Sequence, residues 1–143
     1  MADQAPNIAA EIQAIKDEFA FLGDWTERYQ YIMDMGKHMP AFPSDKQDET
    51  HKFHGCQSQV WFDYKWDDDR LELDGTSDAM IVKGLIALLF RVYSGRTADE
   101  ILATDGSFID DLGLSSHLSA NRSTGLSNMI EKIRQLAAER TTA

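Results

Sequence analysis

Residues 58–66 read SQVWFDYKW and residues 70–74 read RLELD, with Asp67, Asp68 and Asp69 between them. Val60, Phe62, Tyr64 and Trp66 alternate with Gln59, Trp61, Asp63 and Lys65, which is the period of two that a half-buried strand requires. Aromatic and β-branched residues dominate the run, as suits a pleated surface. Leu71 and Leu73 alternate with polar neighbours in the same way. Two such runs joined by a short acidic turn predict an antiparallel hairpin. A lone hairpin is marginal in water, so a third strand is expected, and the segment just before Gly55 is the candidate.

Outward from the hairpin the period changes to that of helices. Residues 78–93 are apolar around most of a helix circumference (Ile81, Val82, Leu85, Ile86, Leu88, Leu89, Val92), which places that helix in a core. Gly84 inside it costs about 1 kcal/mol against alanine, so close helix packing is its expected purpose. Thr97 with Glu100 forms a capping-box pattern ahead of a short helix ending near residue 103. Residues 104–118 read as a loop. Residues 120–139 follow as an amphipathic helix with Leu126, Met129, Ile130, Ile133 and Leu136 on one side. On the N-terminal side, residues 7–22 form a helix capped by Asn7, with Ile8, Ile12, Ile15, Phe19 and Leu22 at helical spacing. A second helix starts at Asp24, with Glu27 three residues on, and ends at Pro40. Residues 41–52 are a polar connection. The fold class is therefore α+β, a small antiparallel β-sheet covered on one face by helices.

The 143 residues suit a single domain, 1–143, of ordinary composition, 43% hydrophobic and 27% charged. The 14 basic against 24 acidic residues give a net charge of −10, which argues against nucleic-acid binding, since that rests on neutralising phosphates. The first 15 residues lack the basic and apolar regions of a secretory signal. The most apolar stretch, residues 79–93, is too short for a membrane span and carries Lys83 and Arg91. A cytoplasmic protein with no membrane partner is expected.

Cys56 is the one cysteine. It has no partner for an internal disulfide and no companions for a multi-thiolate zinc or iron–sulfur site. Three readings remain: a buried inert thiol, a reactive thiol, or an intermolecular crosslink. Its position between Gly55 and Gln57, in the turn leading into the strongest strand, favours display on a rigid scaffold. Free cysteine nevertheless packs most often as a small hydrophobe. His51 and His54 lie near enough in sequence to serve Cys56 as a general base, although no third, orienting group is assignable. A His51/His54/His117 metal site lacks any specifying spacing. No glycine cluster forms a phosphate-cradling loop.

The residues GCQSQVW at 55–61 resemble the signature of SufE-type sulfur acceptors. SDAMIVKGL at 77–85 and HLSANRSTGL at 117–126 resemble the family's second and third blocks, in the same order. Residues 25–31 and 36–40 also fit. Phe53 departs from the pattern, where a smaller aliphatic residue is expected. The motifs do not separate SufE from the related CsdE-like subgroup.

That resemblance implies a scaffold similar to those of iron–sulfur cluster assembly, with Cys56 as the sulfur acceptor. The implied donor is a pyridoxal-phosphate (PLP)-dependent cysteine desulfurase, SufS- or CsdA-like, which the chain would stimulate. The implied recipient is a SufBCD-type assembly. Gly55, Gln57, Ser58, Gln59, Asp78, His117 and Arg122 become candidates for supporting the persulfide or the partner. No cofactor or metal is implied on this chain, which is expected to be a monomer or weak homodimer and not a stand-alone enzyme. An apolar resting pocket beside the Cys56 loop would shield the persulfide from reductants. Competing classes are an iron–sulfur scaffold, a cysteine hydrolase and a pure interaction module.

Overall fold

In the computed structural model, which describes residues 7–55 and 58–142, the alternating runs form the expected hairpin of β1 (Val60–Asp67) and β2 (Arg70–Ser77). Phe62 pairs with Gly75, Tyr64 with Leu73 and Trp66 with Leu71. The second strand runs past its expected end at Asp74, through Gly75, Thr76 and Ser77. Glycine is tolerated there because the Phe90 ring packs where its side chain would be. At the tip, Asp68 takes the left-handed conformation (φ 55°) that aspartate accepts more readily than most residues.

The third strand is not the segment before Gly55. It is β3 (Arg96–Thr97), which pairs antiparallel with the start of β2 and gives the sheet order β1-β2-β3. The segment before Gly55 instead makes an isolated bridge on the free edge of β1, Lys52 to Trp61. The alternation of β1 decides its burial only in part. Val60 and Phe62 are buried against the helices, whereas Tyr64 is 44% exposed.

The N-terminal helices start where their caps place them. α1 (Ile8–Phe21) is capped by the Asn7 side chain accepting from Ala10 N–H, and α2 (Trp25–Lys37) by Asp24 accepting from Glu27 N–H. The Glu27 carboxylate reaches back to Gly23 N–H (2.8 Å), one residue beyond the cap. α3 (Met80–Tyr93) is the apolar helix expected in the core, and ten of its 14 residues are buried. Thr97 and Glu100 form the full capping box of α4 (Ala98–Leu102). The expected loop at 104–118 contains two short helices, α5 (Ser107–Asp111) and α6 (Leu114–His117), each too short to show a period. Phe108, Ile109, Leu112 and Leu114 anchor them in the core. α7 (Ala120–Thr142) completes the chain of elements.

α2 and α3 meet backbone to backbone. A Cβ on Gly84 would lie 2.2 Å from the Ile32 carbonyl oxygen, and one on Gly36 would lie 2.8 Å from Gly84 N. Arg91, on α3, reaches toward α1. Its guanidinium donates to both Glu18 oxygens (2.7 Å each) and to Glu11, and Tyr31 donates to Glu18. These groups are half-buried. The bonds from Arg91 hold the Glu18 carboxyl below the usual glutamate range, against the upward push of burial. No described helix is long and apolar enough to cross a membrane.

Gly84→Ala is expected to destabilise the protein by about 2–4 kcal/mol in denaturant unfolding, because the overlap with Ile32 outweighs the helix-propensity gain of about 1 kcal/mol. Replacing Arg91 by alanine should cost about 1–2 kcal/mol at neutral pH, a partly screened value for a half-buried network. Because the folded-state pKa of Glu18 is lowered, its contribution is complete above the ordinary glutamate range and is lost as pH falls through the lowered value. The stability gap between wild type and Arg91→Ala should therefore narrow in acid, which urea titrations at neutral and low pH would read.

Candidate functional site

The chain doubles back on itself ahead of β1. Phe53 N–H donates to the Val60 carbonyl and Phe62 N–H to the His51 carbonyl, both at 2.8 Å. These two bonds close the base of a loop whose middle residues are Cys56 and Gln57. Both fall outside the described residues, so the site is built from its flanks, Gly55 and Ser58.

Gly55 is crowded by two residues. A Cβ there would lie 2.5 Å from the Phe53 ring and 2.9 Å from Asn128 Cβ on α7. The Asn128 side-chain N–H donates to the Gly55 carbonyl (2.8 Å). Phe53, the departure from the expected pattern, thus fills the space a side chain at residue 55 would need. Glycine is required here by close approach.

Ser58 lies on the rim of a cavity of about 260 Å³ between α3 and α7. Val82, Leu85, Ile86 and Leu89 form one wall, Leu126 and Met129 with Gly125 the other, and Ser119, Asn121 and Arg122 complete the rim. Both walls follow from helical spacing, since 82, 85, 86, 89 and 122, 125, 126, 129 are each an i, i+3, i+4, i+7 stripe. The volume far exceeds the share of a single water, about 30 Å³. An apolar floor with a cationic and hydroxyl rim suits a small, polarizable or anionic group presented from the loop.

The other candidates divide. Arg122 is exposed on the rim, and its backbone N–H is capped by the Ser119 hydroxyl (3.3 Å). The Gln59 side chain is exposed, while its carbonyl accepts from Ser77 Oγ–H (2.8 Å) and Asp78 N–H (3.3 Å). That pair of bonds fixes the junction between loop, sheet and α3. Asp78 is exposed and does not cap α3, whose N-cap is Ala79. His117 stands apart from the cavity lining. Its ring stacks on Trp25 (centroids 3.9 Å apart, 17° between planes), its Nδ1 lies 2.9 Å from the Gly113 carbonyl, and its own carbonyl accepts from Tyr29.

His51 pairs with Asp48 (2.8 Å) and His54 with Glu49 (3.2 Å), so both neighbours of the loop are engaged by carboxylates on the preceding turn. The three histidines are not gathered, and the described residues hold no group of three or more His, Cys, Asp or Glu placed to bind a metal. Asn128 and Met129 escaped the sequence reading as site residues. Met129 carried a signal, its place on the apolar stripe, but was read as core. Asn128 carried none, because its contact spans 73 positions.

Comparison with known proteins adds a lineage. The family model described as SufE, the Fe-S metabolism associated domain, matches residues 13–137. An uncharacterized SufE-like protein of Rhizobium etli is 39% identical over 139 residues, covering 94% of each chain. Another from Rhizobium meliloti is 38% identical over 137 residues, covering 92% of this chain and 98% of the relative. The solution structure of a hypothetical protein from Thermus thermophilus shares the fold, with a TM-score of 0.75 at 18% identity, covering 93% of this chain and 97% of that one.

The packing around Gly55 yields a double-mutant prediction. Gly55→Ala should destabilise the protein by about 1–3 kcal/mol, the usual cost of forcing a methyl into filled space. In a Phe53→Val background the same change should cost measurably less, since the two sites compete for one volume. Equal costs in both backgrounds, by chemical denaturation, would refute the packing account.

Proposed function

The chain belongs to the SufE family, associated with iron–sulfur metabolism, and on that premise we propose that it is a sulfur carrier whose acceptor is Cys56. The whole chain, residues 1–143, acts as one sulfur-acceptor domain in the cytoplasm, as a monomer or weak homodimer. Its donor is the persulfide of a PLP-dependent cysteine desulfurase, which it stimulates by removing the product sulfur. Its recipient is the iron–sulfur cluster assembly machinery, of SufBCD type. It is not an enzyme by itself.

The transfer is thiol–disulfide exchange with a persulfide as the electrophile. The Cys56 thiolate attacks the terminal sulfur of the donor persulfide, a new S–S bond forms on Cys56, and the donor cysteine leaves as a thiolate. One sulfur atom moves, and no net oxidation or reduction occurs. A chain with one cysteine is suited to this, because a second thiol nearby would attack the persulfide and release hydrogen sulfide.

The observation that carries the reading is that the chain's one cysteine lies in a loop whose described flank, Ser58, borders the α3–α7 cavity. The apolar walls would shelter a persulfide from water-borne reductants. Arg122 and Ser58 on the rim would favour the anionic terminal sulfur, since a fixed cation beside a thiolate stabilises the charged form. Gly55, Gln57 and Gln59 would support the persulfide or the partner from the same stretch of chain. Asp78 marks the exposed edge where a partner would meet the loop, and His117 supports the site through the α2–α6 stack.

Intact mass after incubation with the cognate desulfurase and cysteine, without reductant, tests the proposal. Wild type should gain one sulfur atom, dithiothreitol should erase it, and Cys56→Ser should gain none. An unchanged wild-type mass beside an active cognate desulfurase would overturn it. Arg122→Ala should slow sulfur acceptance about tenfold, and acceptance at the wild-type rate would remove Arg122 from the site.

A further inference from the structure

We propose that Asn128 is a positioning residue for the acceptor loop, its side-chain amide tying the Gly55 carbonyl to α7 and so restricting how Cys56 is presented. The inference rests on the reading of Cys56 as sulfur acceptor. The bond from Asn128 Nδ2 to Gly55 O is 2.8 Å long and joins positions 73 apart. It therefore constrains tertiary structure and contributes nothing to the local turn. The Asn128 Cβ also lies beside Gly55, 2.9 Å from where a side chain on that residue would begin.

Placement makes the tie consequential. Glycine has the widest backbone freedom of any residue, and here it immediately precedes the reactive one. The loop base is already fixed by the Phe53–Val60 bond, and its far flank by the bonds to the Gln59 carbonyl. Asn128 restrains the near flank. It does so from α7, the helix whose Leu126 and Met129 form a cavity wall. Loop and cavity are thus referred to one rigid element.

The bond is exposed, so its strength is that of an ordinary neutral hydrogen bond competing with water. Such a bond shifts an opening equilibrium by about fivefold. A tie of that size restrains Gly55 yet yields to a docking partner. Asparagine is also a poorer helix former than alanine or leucine. Removing it should leave α7 at least as stable while loosening the loop, and these opposite signs separate positioning from general support.

The test compares wild type with Asn128→Ala and with the near-isosteric Asn128→Leu, in the full chain without any partner. Three quantities are read: the iodoacetamide alkylation rate of Cys56 by intact mass, hydrogen exchange of the peptide over residues 52–59, and the thermal midpoint. Both variants should alkylate about fivefold faster, with faster exchange confined to that peptide and no fall in thermal midpoint. A rise below about twofold in either variant, or one shared by exchange in α1 and α3, would overturn the proposal. No desulfurase enters these measurements. Failure to load sulfur on wild type would sink the carrier reading alone, and unaltered alkylation would sink the role of Asn128 alone.

Discussion

The contact on which the structure depends is the meeting of two backbones where Gly36 and Gly84 face each other across α2 and α3. Helices this close leave no room for a side chain on either glycine, so the angle and register of α3 are set by main-chain contact together with the buried Ile32 side chain. Everything beyond follows from that register. One side of α3 turns Arg91 toward the carboxylates of α1. Another side presents Val82, Leu85, Ile86 and Leu89 as a cavity wall. A helix committed to packing on one side can offer a constant, apolar surface on the other.

The site divides its labour between geometry and electrostatics. Geometry comes from main-chain bonds at the loop base and from Phe53 and Asn128 closing on Gly55. Electrostatics comes from a rim cation, Arg122, on a chain whose net charge is −10. The surrounding negative field would steer a basic partner over a distance of about a Debye length, while Arg122 acts only at contact. On the proposed function, attraction of the partner and handling of the sulfur are therefore separable properties.

What the sequence made legible was whatever its local rules encode. Alternation in 58–66 gave the hairpin, and Asn7, Asp24 and Thr97 marked helix starts because capping is decided within four residues. Gly84 announced a close approach because nothing else justifies glycine in a buried helix. Long-range facts were illegible. The third strand came from after α3, since two residues carry no period. α5 and α6 passed as loop for the same reason. Of the candidate site, Ser58 and Arg122 share the cavity rim, but His117 is taken up by Trp25. Asn128 showed nothing of its tie to Gly55, because the partner group is a backbone carbonyl with no residue identity to read.

α7 serves three distant places. Near its start Arg122 borders the cavity, at its middle Asn128 holds Gly55, and near its far end Arg140 donates to the Asp68 carbonyl (2.6 Å) and lies over the Trp66 ring (4.8 Å). During synthesis this helix emerges after every strand of the sheet, several seconds behind Cys56 at ordinary elongation rates. At that stage the residues of the hairpin and of the α2–α3 crossing have been made, but those of the second cavity wall and of the loop tie have not. On the proposed function, the order of translation therefore leaves Cys56 without the second cavity wall and without the Asn128 contact at Gly55 until the last helix has been made and folded.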